Sequence, residues 1–121
     1  MARILIGDDE ELMRELLHRL LTGEGRDIEV VAEAGDGRHV VEEWRRSHPD
    51  VIVLDQEMPG MTGIEAAEII LGEQPDQAII ILTATPEAPE LDRAASLGVR
   101  QVLSKTGILS ISDAVDRALG R

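Results

Sequence analysis

The chain contains no cysteine, no tyrosine and no phenylalanine, and Trp44 is its one tryptophan. Without cysteine it cannot build a disulfide scaffold, a thiolate zinc site or a cysteine nucleophile. Its longest apolar runs, 51–54 and 78–82, are far shorter than the ~20 residues that cross a bilayer. The amino terminus passes from the apolar residues 4–6 directly into acidic residues, so a secretory signal is not indicated. We therefore expect a cytoplasmic protein that does not enter the membrane.

Positive charge is also scarce. Twelve basic residues stand against 24 acidic ones, for a formal net charge of −12, and Lys105 is the single lysine. The electrostatic field of so negatively charged a chain repels phosphate backbones, which argues against direct nucleic-acid binding by this chain. Since about 150 residues per domain is usual, 121 residues predict one domain over 1–121.

Short apolar runs rich in β-branched residues recur along the chain. Each is followed by a stretch with helical spacing of apolar residues, so the pattern predicts β-α units repeated five times. Several runs are continuously apolar, as in strands that are buried on both faces of a parallel sheet. An α/β fold with helices on both faces of the sheet follows. The five runs are Arg3 to Gly7, Ile28 to Ala32, Val51 to Leu54, Ala78 to Thr83 and Arg100 to Leu103.

Polar residues end or closely follow four of these five runs. In open α/β sheets, ligands bind outside the carboxyl ends of the strands. Each residue alone has a plain structural explanation, such as a helix cap, a turn or an exposed loop end. Together they deliver carboxylates, a hydroxyl and an ammonium to one edge of the sheet, which favours a functional site. They are Asp8, Asp9, Asp55, Thr83 and Lys105.

Phosphoryl transfer to a carboxylate fits this set of groups. Neighbouring aspartates repel one another unless a hard cation lies among them, and Mg²⁺ prefers carboxylates, waters and phosphate oxygens. Lys105 and Thr83 can bind further phosphoryl oxygens. Asp55 follows the central apolar run and is the natural nucleophile, since aspartyl phosphates are known covalent intermediates.

The motifs resemble those of response regulator receiver domains, the CheY-like superfamily, over the whole chain. The pattern is most similar to regulators of the NarL/LuxR type, whose members usually continue into a helix-turn-helix for transcription regulation. The residues that carry the resemblance are Ile-Leu-Ile-Gly-Asp8-Asp9, Val51-Ile-Val-Leu-Asp55, Met58-Pro59-Gly60-Met61-Thr62-Gly63, Ile-Ile-Leu-Thr83-Ala84, and Gly98-Val99 leading to Lys105.

The resemblance implies a flavodoxin-like five-stranded parallel sheet in the order 2-1-3-4-5. It also implies that Asp55 accepts a phosphoryl group from a sensor histidine kinase, in a two-component system that uses Mg²⁺. The implied metal site comprises Asp55, Asp9 as a direct ligand, Asp8 acting through water, and the backbone carbonyl of Glu57. Thr83, with Ala84 after it, and Lys105 match the family's phosphoryl-binding and switch positions.

One position departs from the family pattern. Val102 occupies the output-switch position, where the family commonly has tyrosine or phenylalanine. Because Val102 has no ring to turn inward, we expect the switch to run through Thr83 and residues 84–89. The expected output is a partner, an output domain or homodimerisation on phosphorylation.

The same residues allow two alternatives to a receiver. A phosphohydrolase could use Asp55 as nucleophile and Glu57 as acid, but such enzymes usually need aspartate there and a cap, so we expect no turnover enzyme. A phosphorylation-independent interaction module could keep the fold without the switch. The complete set of Asp8, Asp9, Asp55, Thr83 and Lys105 argues against that module.

Overall fold

The computed structural model describes residues 1–23 and 25–121. The strands are β1 Ala2–Gly7, β2 Ile28–Ala34, β3 Val51–Asp55, β4 Ala78–Thr83 and β5 Gln101–Ser104. The helices are α1 Glu11–Leu21, α2 Gly37–Ser47, α3 Gly63–Glu73, α4 Ala94–Leu97 and α5 Ile111–Ala118. Short 3-10 helices cover Pro89–Leu91 and Lys105–Ser110.

The sheet is parallel, with the strand order β2-β1-β3-β4-β5. This confirms the flavodoxin-like order and all five predicted strands. The boundaries differ slightly: β2 continues to Ala34, β3 includes Asp55, and Arg100 lies before β5. The end of a strand depends on ladder hydrogen bonds with its neighbours, which an apolar run does not specify.

Two apolar cores lie on opposite faces of the sheet. One joins the sheet to α2, α3 and α4, and the other joins it to α1 and α5. β3 and β4 are buried along their full length, as their continuous apolar runs predict. Because both faces of these strands are covered, polar groups can reach solvent only at the strand ends. The site therefore lies at the edge of the sheet.

Local features agree with the packing of the two layers. Trp44 is buried in the core on the α2 side of the sheet, and its ring N–H donates to Gln77 Oε1 at 3.1 Å. In α1, Leu17 and Leu21 are buried, whereas Leu12 and Leu16 are exposed by 79% and 40%. The leucines of α1 thus extend around more of the helix than the core covers. In the described part of the chain, no helix is long and apolar enough to cross a membrane.

Candidate functional site

The strand register brings the predicted residues to one edge of the sheet. Gly7 pairs with Leu54, so Asp8 and Asp55 follow at the same level of neighbouring strands. On the other side of β3, Asp55 pairs with Leu82, which Thr83 follows. The parallel register therefore places these chemistry-bearing side chains around the end of β3, the central strand.

Asp8 is buried, and hydrogen bonds restrain both its backbone and its carboxylate. Its backbone N–H donates to the Ala34 carbonyl at 3.0 Å, and its Oδ1 accepts from the backbone N–H of Glu10 at 2.9 Å. Asp9, by contrast, is exposed. The ligand atoms of Asp8, Asp9 and Glu10 all lie within 4.8 Å of one another. A hard cation fits this donor set, which is built from carboxylate oxygens.

Lys105 bridges the two buried aspartates. Its ammonium Nζ lies 3.2 Å from Asp55 Oδ1 and 3.5 Å from Asp8 Oδ2. The side chains of both aspartates are at most 2% exposed, and that of Lys105 is 18% exposed. One ammonium thus offsets part of the charge of two carboxylates that are shielded from water.

The electrostatics of this cluster favour protonation of its acids. Burial, followed by repulsion from Asp8, raises the pKa of Asp55 to about 7. Burial also raises the pKa of Asp8, although the Glu10 N–H and Lys105 act in the opposite direction. Burial lowers the pKa of Lys105, but attraction to Asp55 and Asp8 outweighs it, so the net shift is upward. A group that neutralises this pocket would bind with a strong electrostatic advantage.

Thr83 is fully buried at the end of β4, and its hydroxyl is engaged by Glu57. Thr83 Oγ1 donates to Glu57 Oε1 at 2.8 Å and accepts from the backbone N–H of Thr85 at 3.1 Å. The Thr85 hydroxyl donates to the same Glu57 oxygen at 3.3 Å. The resemblance to receivers implied a role only for the backbone carbonyl of Glu57, and neither this side-chain contact nor Thr85 was predicted. The Thr-x-Thr spacing at 83–85 was the available signal.

The start of α3 fixes the loop after Asp55. Buried Gln56 accepts from the Ile64 N–H at 2.8 Å, and Gly63 donates to the Gln56 carbonyl at 3.0 Å. A Cβ at Gly63 would overlap the Asp55 carbonyl, so only glycine allows α3 to approach this closely. Thr62 and Glu65 form a capping box at the start of α3. These contacts restrain the backbone at Asp55, the candidate nucleophile, and the loop that follows it.

The remaining predicted positions surround this cluster. Ala84 is exposed and follows Thr83 directly. Val102 pairs with Ile81 in the sheet, one register position before Leu82, and packs against the α2–α3–α4 core. The Glu57 N–H donates to Asp55 Oδ1 at 3.3 Å. Thr83 thus lies at the end of β4, and Val102 lies in the neighbouring strand β5.

A parallel sheet in the order 2-1-3-4-5, with an acidic pocket at the carboxyl end of β3, defines a class of doubly wound α/β proteins that bind ligands where the strand order reverses. Within that class, the chain belongs to the response regulator receiver domain family, whose model matches residues 4–115. The resemblance that the motifs indicated is confirmed.

Individual relatives agree with this assignment. The chain is 38% identical to the transcriptional regulatory protein PdtaR of Mycobacterium tuberculosis over 122 residues, which cover 98% of this chain and 57% of PdtaR. It is 34% identical to the chemotaxis protein CheY of Thermotoga maritima over 103 residues, which cover 85% of this chain and 84% of CheY. The chain thus spans little more than half of PdtaR.

Solved structures give the same picture. The receiver domain of the putative response regulator NarL from Mycobacterium tuberculosis superposes with a TM-score of 0.87 at 32% identity, covering 99% of this chain and 98% of that domain. A LuxR-family two-component response regulator from Aurantimonas reaches a TM-score of 0.91 at 29% identity, covering 99% of this chain and 86% of the regulator. The chain is therefore a response regulator receiver domain of two-component systems by sequence and by fold.

Proposed function

We propose that residues 1–121 form a single receiver domain in which Asp55 accepts a phosphoryl group from a sensor histidine kinase. The observation that carries the proposal is the pairing of Asp55 with Lys105 at 3.2 Å, in a buried pocket beside Asp8. A nucleophilic carboxylate needs an ionised oxygen, and Lys105 favours that form. The product would carry an added dianionic group, which Lys105 can bind as a point charge.

The reaction is a displacement at phosphorus. An oxygen of Asp55 forms a bond to the phosphorus atom of a phosphohistidine, and the bond from phosphorus to the histidine nitrogen breaks. The electron pair of that bond stays with the nitrogen, which later takes a proton from solvent. The chain supplies the nucleophile and the charge around it, and we propose that it catalyses no further turnover.

We propose that Mg²⁺ is the cofactor of this step. The residues that would hold it are Asp8, Asp9 and Asp55, with the backbone of Glu57, and Glu10 lies in the same carboxylate cluster. When bound, Mg²⁺ supplies positive charge to the phosphoryl oxygens. Asp8 and Asp55 then face a cation in addition to Lys105, so their mutual repulsion falls.

The output of the switch is proposed to pass through Thr83 and Ala84 into residues 84–89. A phosphoryl group biases a conformational equilibrium only through groups that contact it differently in the two states. Thr83 is such a group, because its hydroxyl is already engaged by Glu57. The relative PdtaR is named a transcriptional regulatory protein. We propose that phosphorylation of this chain controls a partner, an output domain or self-association.

Intact-mass measurement tests the phosphoacceptor. Wild-type protein incubated with Mg²⁺ and acetyl phosphate should gain the mass of one phosphoryl group, and Asp55→Asn should gain none. Asp92→Asn, at an exposed position, is the matched control and should label like the wild type. Labelling of Asp55→Asn at wild-type stoichiometry would overturn the assignment. A folded wild type that never gains mass would instead indicate the phosphorylation-independent interaction module.

Light scattering tests the output. Wild type and Thr83→Ala are compared with and without beryllofluoride and Mg²⁺, which imitate the phosphoryl group. We expect an increase in mass for the wild type and a smaller one for Thr83→Ala. An equal increase in both would exclude Thr83 as the coupling residue, and an unchanged wild type would exclude self-association.

A further inference from the structure

Arg14 connects the loop after β1 to the end of β2. Its Nη1 donates to the backbone carbonyl of Asp8 at 2.7 Å, and its Nε lies 3.5 Å from Glu33 Oε1. The Arg14 side chain is 21% exposed and that of Glu33 is 38% exposed, so the pair is partly shielded from water. None of the predicted site residues follows β2, yet Glu33 of β2 anchors this contact.

The local structure explains why this side chain can reach the loop. Arg14 is the fourth residue of α1, and helical side chains lean toward the amino end of their own helix. The guanidinium therefore extends back over the first turn, toward Asp8. Its planar fork can donate in two directions at once, which the single ammonium of a lysine does less well.

Helix stability does not account for a cation at this position. Positive charge near a helix amino terminus opposes the helix dipole, and Glu11 is the residue of the first turn whose charge suits it. The contacts of Arg14 instead restrain Asp8. The Asp8 N–H donates to the Ala34 carbonyl of β2, and the Asp8 carbonyl accepts from Arg14. Both backbone polar groups of Asp8 are thus linked to β2, one directly and the other through the contact of Arg14 with Glu33.

We propose that Arg14 is a positioning residue that raises Mg²⁺ affinity by holding the backbone of Asp8, and with it the neighbouring carboxylates, against the end of β2. This inference rests on the proposed function, since it assumes that Asp8 and Asp9 hold Mg²⁺. The proposal predicts the direction in which Mg²⁺ affinity changes when Arg14 is replaced. A cation near a metal site repels Mg²⁺, so removal of the Arg14 charge alone would tighten binding. Removal of its positioning effect would weaken binding.

Isothermal titration calorimetry with MgCl₂ separates the two effects. For Arg14→Gln we expect the Kd for Mg²⁺ to rise about tenfold, as is usual when a residue that hydrogen-bonds to a metal ligand is lost. Arg14→Lys keeps the charge but not the fork, and should give an intermediate Kd. Arg19→Gln removes an exposed arginine of the same helix, whose partner is Glu15, and is the matched control with an unchanged Kd.

The outcomes are distinct. An unchanged or lower Kd in Arg14→Gln, with normal binding in the wild type, would overturn the positioning role and leave the proposed function intact. A wild type that binds no Mg²⁺ would overturn both the metal site and this inference. Circular dichroism melts accompany each titration, and if Arg14→Gln does not fold, a wild-type Kd in Arg14→Lys would overturn the inference.

Discussion

The Thr83 hydroxyl donates a hydrogen bond of 2.8 Å to the Glu57 carboxylate. A hydroxyl has one proton to donate, so Thr83 cannot donate to Glu57 and to a phosphoryl oxygen on Asp55 at the same time. The Glu57 bond and the proposed phosphoryl sensing by Thr83 would therefore exclude each other. This competition couples Thr83, which the sequence predicted as a site residue, to the Glu57 carboxylate, for which the receiver motif implied no role.

Removal of the Glu57 carboxylate should ease binding of a phosphoryl mimic. In Glu57→Ala, the Thr83 hydroxyl is released and a nearby negative charge is lost. We expect beryllofluoride affinity in the presence of Mg²⁺ to rise about fivefold, which corresponds to one net hydrogen bond of ~1 kcal/mol. Calorimetric titration measures it. In a Thr83→Ala background the gain should shrink, and a gain of equal size there would show that charge alone is responsible.

Stability of the metal-free protein should fall as pH rises from about 4 to about 7. Unfolded Asp55 loses its proton near its ordinary pKa of 3.8, whereas folded Asp55 keeps it until about pH 7. The folded state binds more protons across that window, so its free energy of unfolding decreases by a few kcal/mol, on the order of 1.4 per unit. The raised pKa of Asp8 acts in the same direction.

Urea unfolding in EDTA at about pH 5 and about pH 8 measures this dependence. Asp55→Asn should flatten it. In the wild type, Mg²⁺ at ten times its Kd should restore about 1.4 kcal/mol at the higher pH, where the carboxylates are ionised. A pH-independent stability that Mg²⁺ leaves unchanged would contradict the electrostatic account of the pocket.

Lys105→Met should destabilise the metal-free protein chiefly at high pH. The substitution leaves the Asp8 and Asp55 carboxylates without their bridging ammonium. We expect a loss of ~1.5–3 kcal/mol at about pH 8, the usual value of a hydrogen bond to a charged group. The loss should be smaller at about pH 5, where Asp55 is protonated. Urea titrations at both values decide this, and an equal loss at both would show that Lys105 acts through packing.

Gly63→Ala should destabilise the fold and slow phosphorylation. The new methyl group would meet the Asp55 backbone carbonyl, so α3 must move away from the end of β3 at a cost of ~1–3 kcal/mol. Gly72→Ala is the matched control, since its added methyl group meets no atom within 4 Å and should raise stability by ~0.5–1 kcal/mol. Thermal melts and intact-mass labelling rates report both effects, and normal labelling in Gly63→Ala would show that the contact is not needed.

The sequence by itself determined the sheet and the composition of the pocket. Continuous apolar runs such as 51–54 and 78–82 are typical of strands covered on both faces of a parallel sheet, and the residues that follow such strands lie at the same edge. For that reason Asp8, Asp55 and Lys105 could be assigned to one site from their positions alone. Their proximity follows from parallel pairing, which the local pattern already requires.

Only the tertiary structure decided which partner each polar atom takes. The Glu57 carboxylate meets Thr83 across 26 positions of sequence, and Arg14 meets Glu33 from a different element. Strand order, register and the angle of each helix set such contacts, and none of these leaves a periodic signal along the chain. Burial also depends on the tertiary structure. Leu12 and Leu17 of α1 are both leucines, but only Leu17 is buried, because the apolar residues of α1 extend around more of the helix than the core covers.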